Sequence, residues 1–282
     1  MDIQLGRFNL LEIVKEVDFG LYLDGGDYGE ILLPSRYVPE TYEIGEKLNV
    51  FLYLDMDERM IATTLTPFIE VGEFGYLEVS WINEYGAFLD WGLMKDLFVP
   101  FKEQKKDMEV GQRYVVYAHI DDESYRIVGS AKVEKFLSKD VPTYEENQEV
   151  EVLIWQKSDL GFKVIIENKF AGLLYDNEIF QPLYTGMRLK AFIKKVREDG
   201  KIDLILQQGG HQTVLDFSEI LLDYIKQNGG QTSFHDRSDA EDIYSVFGVS
   251  KKVFKKAVGD LYKKRLVVLE PGKITLSDKI KE

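Results

Sequence analysis

The 282-residue chain has no cysteine, which excludes disulfide bridges and thiolate metal sites outright. Histidine is nearly absent too. His119, His211 and His235 stand far apart, without Glu or Cys at ligand spacing, so no zinc pattern can be read. No apolar run approaches the ~20 residues of a membrane span. The opening Met1-Asp2-Ile3-Gln4-Leu5-Gly6-Arg7 lacks the cationic-then-apolar order of a secretory signal. The expected compartment is therefore the cytoplasm, with no membrane partner. Catalytic signatures are missing as well. Gly25-Gly26-Asp27-Tyr28-Gly29 has no Lys-Ser/Thr to make it a phosphate loop, and no nucleophile elbow or His-paired Ser is readable. A protein without enzymatic activity and without a cofactor is expected. Asp55-Met56-Asp57-Glu58 and Asp121-Asp122-Glu123 lack the spacing of a calcium loop and read as solvated hairpin turns.

Positive charge is scarce: 35 Lys and Arg stand against 49 Asp and Glu, a net charge of −14. Its distribution matters more than its sum. Residues 1–72 carry −9, residues 73–137 carry −4, residues 138–208 carry −2 and residues 209–282 carry +1. A polyanionic partner would meet least repulsion late in the chain, or would be held by stacking more than by charge. Rings for stacking are plentiful, with 16 Tyr and 17 Phe. An apolar content of 45% beside 30% charged residues describes a folded chain, and its length suits several small domains.

The chain repeats itself. Gly20, Gly86 and Gly161 each precede a second glycine, Gly45, Gly111 or Gly186, by 25 residues. Apolar residues alternate after each second glycine: Leu48, Val50, Leu52; Tyr114, Val116, Ala118; Leu189, Ala191, Ile193. Period two means strand. The middle unit reads as five strands, near 76–83, 87–91, 97–100, 112–120 and 126–131. Five short strands must close on themselves to bury one face. The OB-type barrel is the common solution, with strands two and three forming a ligand face. The first glycine would permit a bulge or bend at the barrel corner. The units span 1–66, 67–138 and 139–208.

Phe19-Gly20-Leu21-Tyr22, Tyr85-Gly86-Ala87-Phe88, the later glycines and the final acidic-to-Arg stretches resemble the S1 RNA-binding domain. The resemblance implies that Phe19, Tyr22, Asp55 and Arg59 of unit one, and Tyr85, Phe88, Asp122 and Arg126 of unit two, line a nucleic-acid face. Unit three departs, with Leu160 and Lys163 at the ring places and Arg197 and Lys201 at the Asp and Arg places. Where the family has a histidine stand Pro34, Pro100 and Tyr175. Tyr22 and Phe88 alternate with inward-facing residues, so they either stack on bases or pack against a neighbouring barrel. Phe51, Tyr117 and Phe192 recur at one place, and packing at a barrel end or interface is favoured there over base contact.

After Gln207-Gln208-Gly209-Gly210-His211-Gln212, which reads as a linker, helical spacing marks 214–227 through Leu215, Ile220, Leu221, Leu222, Tyr224 and Ile225. A short helix over 239–247 follows, then one capped by Ser250 and running to about residue 264, then a hairpin of 266–270 with 273–276. Three helices and a hairpin make a winged helix over 209–282. Its third helix carries Lys251, Lys252, Lys255, Lys256, Lys263, Lys264 and Arg265 against Asp260 alone, either as a nucleic-acid or acidic-partner contact or as a solvated face. The fold expected is thus multidomain and mainly β. The order of three S1-like units and a winged helix resembles the bacterial conserved virulence factor B family along essentially the whole chain. That resemblance implies an RNA-binding protein, with single strands preferred, that influences expression of virulence genes. A scaffold docking on ribosome or polymerase, or a winged-helix reader of duplex DNA, remain the alternatives.

Overall fold

The computed structural model describes residues 3–179, 182–206 and 211–277, without the side chains of Asn177 and residues 211–216. The 207–210 part of the expected linker and the Leu215 side chain lie outside the described residues. The chain forms two compact units, one built on the first two barrels and the other on the third barrel and the C-terminal domain.

Barrel one consists of Phe8–Val17, Gly20–Asp24, Glu30–Pro34, Lys47–Leu54 and Met60–Thr63 (β1–β5). Barrel two consists of Phe74–Ile82, Gly86–Asp90, Leu97–Pro100, Arg113–Ile120 and Ile127–Ser130 (β6–β10). Barrel three consists of Glu149–Ser158, Gly161–Ile166, Phe170–Tyr175, Arg188–Val196 and Ile202–Ile205 (β11–β15). All three close in one order, the first strand beside the second and fourth and the fifth between the third and fourth. Closure leaves no free sheet edge.

The repeated first glycine is not the site of the bulge, and it serves a further purpose. A Cβ on Gly20, Gly86 or Gly161 would lie 2.1, 2.3 or 2.0 Å from the carbonyl oxygen of Leu33, Val99 or Leu174 on the third strand. Only glycine permits that approach. The bulge sits earlier, on the first strand, between Ile13 and Lys15, Val79 and Trp81, and Ile154 and Gln156. An extra residue there changes which side chains face each other across the first two strands.

Alternation fills each barrel. Leu21 and Leu23, Ala87 and Leu89, and Val164 and Ile166 point inward and are almost wholly buried. Barrels one and two also share packing. Phe51 is fully buried and meets Trp91 edge-on at 5.8 Å between ring centroids, and with Tyr53 it joins barrel two's apolar cluster. Tyr117 lies against Phe136 at 4.3 Å. Packing is thus what Phe51 and Tyr117 do. A short 3₁₀ turn follows each third strand, at Ser35–Tyr37, Phe101–Glu103 and Asp176–Glu178. In barrel two it buries Glu103, which accepts a hydrogen bond from Ser130 Oγ at 2.5 Å and faces Lys135 Nζ at 3.1 Å. Burial works to raise the Glu103 carboxyl, but the Ser130 hydroxyl and the Lys135 ammonium outweigh it and hold it below the usual glutamate value.

The C-terminal domain has helices His211–Gln227, Ala240–Phe247 and Lys251–Lys263 (α1–α3) and strands Gln231–Thr232, Val267–Glu270 and Lys273–Leu276 (β16–β18), with β18 central. Two details differ from the sequence reading. His211 and Gln212 belong to α1 rather than to the linker, and the hairpin gains β16 as a third strand. Asp239 caps α2, accepting from the Ala240 N–H at 2.9 Å, and Ser250 caps α3, accepting from the Val253 N–H at 3.3 Å. Phe217, Leu221, Ile243, Phe254, Val258 and Leu261 make the core. Among the described residues no helix is long and apolar enough to cross a membrane.

Candidate nucleic-acid interface

The bulges decide what each barrel presents. Beyond them, the residue five places before the first glycine pairs across to the one two places after it: Lys15 with Tyr22, Trp81 with Phe88, and Gln156 with Lys163. In barrel two the pair is two rings, stacked face to face at 3.7 Å with planes 3° apart. Trp81 is 46% exposed, and its indole N–H donates to Asp96 Oδ2 at 3.0 Å, which fixes the ring plane. Phe98 flanks Phe88 at 4.9 Å. Tyr85 projects into solvent from a turn held by Asn83 Oδ1, which accepts the Tyr85 and Gly86 N–H groups at 2.8 and 3.2 Å. A cavity of about 450 Å³ opens beside these rings, with Tyr85, Phe88, Phe98, Lys95 and Arg126 in its lining. Phe88 therefore packs against a ring of its own barrel. Trp81 is the residue the sequence reading missed. The signal was its equal offset from the repeated glycine.

Barrel one offers a weaker version. Lys15 Nζ lies 4.9 Å from the Tyr22 ring centroid and pairs with Glu30 at 2.6 Å, while exposed Phe19 meets Tyr22 edge-on at 6.2 Å. Arg59 is already engaged by Asp55 and Asp57 at 2.9 and 2.8 Å. Burial works to raise the Asp55 carboxyl, but the N–H and guanidinium of Arg59 and the Asp57 N–H hold it low. The residue matching Asp55 in barrel two is Asp121, not Asp122. Asp55 and Asp121 each donate their N–H to the carbonyl of the Arg that follows, Arg59 or Arg126, at 2.9 Å. The second turn is one residue longer, and Asp122 is left exposed.

Barrel three replaces rings with charge. Lys163 reaches over Trp155 at 5.4 Å from its centroid, and Leu160 is exposed. Arg197 Nε donates to Asp203 at 2.8 Å and its Nη2 to the Tyr175 hydroxyl, so the three close into one cluster. The hydrogen bond to Asp203 and its charge raise the Arg197 pKa further. Lys201 pairs with Asp199 at 2.7 Å. The cations at the Asp and Arg places thus already have anionic partners.

On the winged helix, Lys252, Lys255 and Lys256 are exposed opposite the buried Phe254, Ala257 and Val258, while Lys251 is half-buried. Lys264 turns back to Asp260 at 2.8 Å. Among the described residues Lys252, Lys255 and Lys256 form no ion pair, which leaves a cationic face near the start of the helix that reads DNA in helix-turn-helix proteins. Among the described residues no group of His, Asp and Glu is placed to hold a metal ion.

Comparison with known proteins agrees with this construction. Residues 5–65 match the S1 domain, and residues 219–276 match the CvfB-like winged helix domain. The S1 match supports a nucleic-acid-binding role. The uncharacterized protein YitL of Bacillus subtilis is 27% identical over 275 residues, 95% of this chain and 92% of that protein. Conserved virulence factor B of Staphylococcus epidermidis is 25% identical, covering 98% of this chain and 95% of that protein. A crystal structure of a multidomain protein with nucleic acid binding domains from Streptococcus pneumoniae aligns over 96% of this chain and 98% of that one, at 23% identity and a TM-score of 0.43. Three barrels with an S1 match in the first, a CvfB-like winged helix at the end and similarity over nearly the full length bear out the resemblance to the conserved virulence factor B family.

Proposed function

We propose that this protein is a non-catalytic, cytoplasmic binder of single-stranded RNA that acts on gene expression after transcription, virulence genes included. The observation that carries this reading is the Trp81–Phe88 stack with Tyr85 beside it, on an exposed face next to a cavity. Aromatic platforms bind bases without needing a strong positive field, which suits a chain of net charge −14. Tyr22 and Phe19 of barrel one offer further rings. Lys163, Tyr175, Arg197 and Lys201 give barrel three a polar role, and Lys251, Lys252, Lys255 and Lys256 add phosphate contacts. Several weak sites on one chain gain strength through effective concentration.

A second reading, duplex DNA held by the winged helix, is favoured by the unpaired lysines of α3 alone. Titration with a single strand and its matched duplex separates the readings. Tighter single-strand binding is expected. Preference for duplex would favour the winged-helix reading, and binding to neither would favour a protein scaffold docking on the ribosome or the transcription machinery.

A further inference from the structure

The turn between β4 and β5 does something the solvated-hairpin reading does not explain. Glu58 sits at φ +61°, in the left-handed region that side-chain-bearing residues avoid. The matching places before Arg126 and Lys201 hold Tyr125 at φ +56° and Gly200 at φ +78°, so the turn itself demands this conformation and only Gly200 meets it without a Cβ. The strained glutamate has a use for its side chain. Its Oε1 lies 3.1 Å from Lys95 Nζ and its Oε2 lies 3.2 Å from Arg126 Nε, both on barrel two. Lys95 Nζ also donates to the Asp55 carbonyl oxygen at 2.8 Å. Glu58, Lys95 and Arg126 all line the cavity that holds Tyr85, Phe88 and Phe98. Two cations thus converge on one carboxylate in the lining of the cavity beside Tyr85 and Phe88. A carboxylate and a phosphate offer such cations the same pair of anionic oxygens.

Resting on the single-strand reading, we propose that Glu58 is an internal stand-in for a backbone phosphate. It occupies Lys95 and Arg126 in the free protein, and a bound strand displaces it. Barrel one thereby attenuates the binding face of barrel two. The groups are partly exposed, so the competition is worth a modest factor.

The test is affinity of the full chain for a short homopolymeric RNA strand, read by fluorescence anisotropy. Glu58→Gln should bind about two- to tenfold tighter than the parent, and Arg126→Ala and Lys95→Ala should bind more weakly. Glu58→Gly removes the carboxylate and relieves the left-handed strain. It should match Glu58→Gln in affinity and melt no lower than the parent, which separates competition from damage to the fold. If both Glu58 variants bind no tighter than the parent while Trp81→Ala binds more weakly, Glu58 is only a strut between barrels, and the single-strand reading survives. If neither the parent nor any variant binds RNA, both the stand-in and the single-strand reading fall.

Discussion

Barrels two and three share a strand order, a first-strand bulge and a glycine pressed against the third strand, yet the same cross-strand position holds two stacked rings in one and Gln156 beside Lys163 in the other. The scaffold fixes where two side chains meet, and the residue types at that meeting point decide what they can hold. Rings offer a flat surface that any base can use. Gln and Lys offer hydrogen bonds and one charge. In barrel three the ring at Tyr175 is tied into a cluster with Arg197 and Asp203, while barrel two has Pro100 there and its rings pack on one another. One fold therefore carries an aromatic face and a polar face in a single chain.

The largest effect should come from removing the ring pair. Phe88→Ala and Trp81→Ala should each cost about 1–3 kcal/mol of single-strand affinity, or about 5- to 150-fold. The melting temperature is to be measured on the same proteins. Affinity kept beside a depressed melting temperature would mean that the rings serve only packing. Next, changing Lys252, Lys255 and Lys256 together to Glu should weaken binding and flatten its dependence on salt. Each lost phosphate contact on a single strand removes about 0.7 from the slope of log affinity against log salt concentration. An unchanged slope would make this face a solvated one.

A third comparison concerns stability. Glu103 and Glu178 hold the same place in their 3₁₀ turns, but Glu103 is more buried and bonded to Ser130, where barrel three has Ile205. Glu103→Gln should lower stability by about 1–3 kcal/mol at neutral pH, and Glu178→Gln by less. The Glu103 carboxyl titrates lower in the folded protein than unfolded, so its contribution is present above the unfolded value and is lost as pH falls through the folded one. Urea melts at pH 7 and in acid should show the gap between parent and Glu103→Gln closing in acid. The smallest effect belongs to Lys163→Ala, which should reduce affinity only through the salt-dependent part, by about 0.7 in slope.

Much of the fold could be read from the chain because its punctuation repeats. Three pairs of glycines at equal spacing locate the barrels, and Ser250 and Asp239 mark the starts of α3 and α2. The site was less legible. Trp81 escaped because a bulge offsets it from the simple alternation of β6, so period-two counting does not put it opposite Phe88. The spacing from Asp55 to Arg59 points to Asp122 rather than Asp121, because the turn before Arg126 is one residue longer than its counterpart before Arg59. Glu58 read as solvated because its partners, Lys95 and Arg126, lie in another barrel and no local pattern announces them. The two-residue strand β16 is too short to show any period.

On the proposed reading, stacking on barrel two, rather than charge, selects a single strand. The direct measurement compares the parent with the Trp81→Ala, Phe88→Ala double variant, each titrated with one RNA strand and with its duplex at the same salt concentration. The parent should prefer the single strand, and the double variant should lose most of that preference while its duplex affinity stays unchanged. A parent that binds duplex as tightly as single strand, or a double variant that keeps the full preference, would contradict that reading.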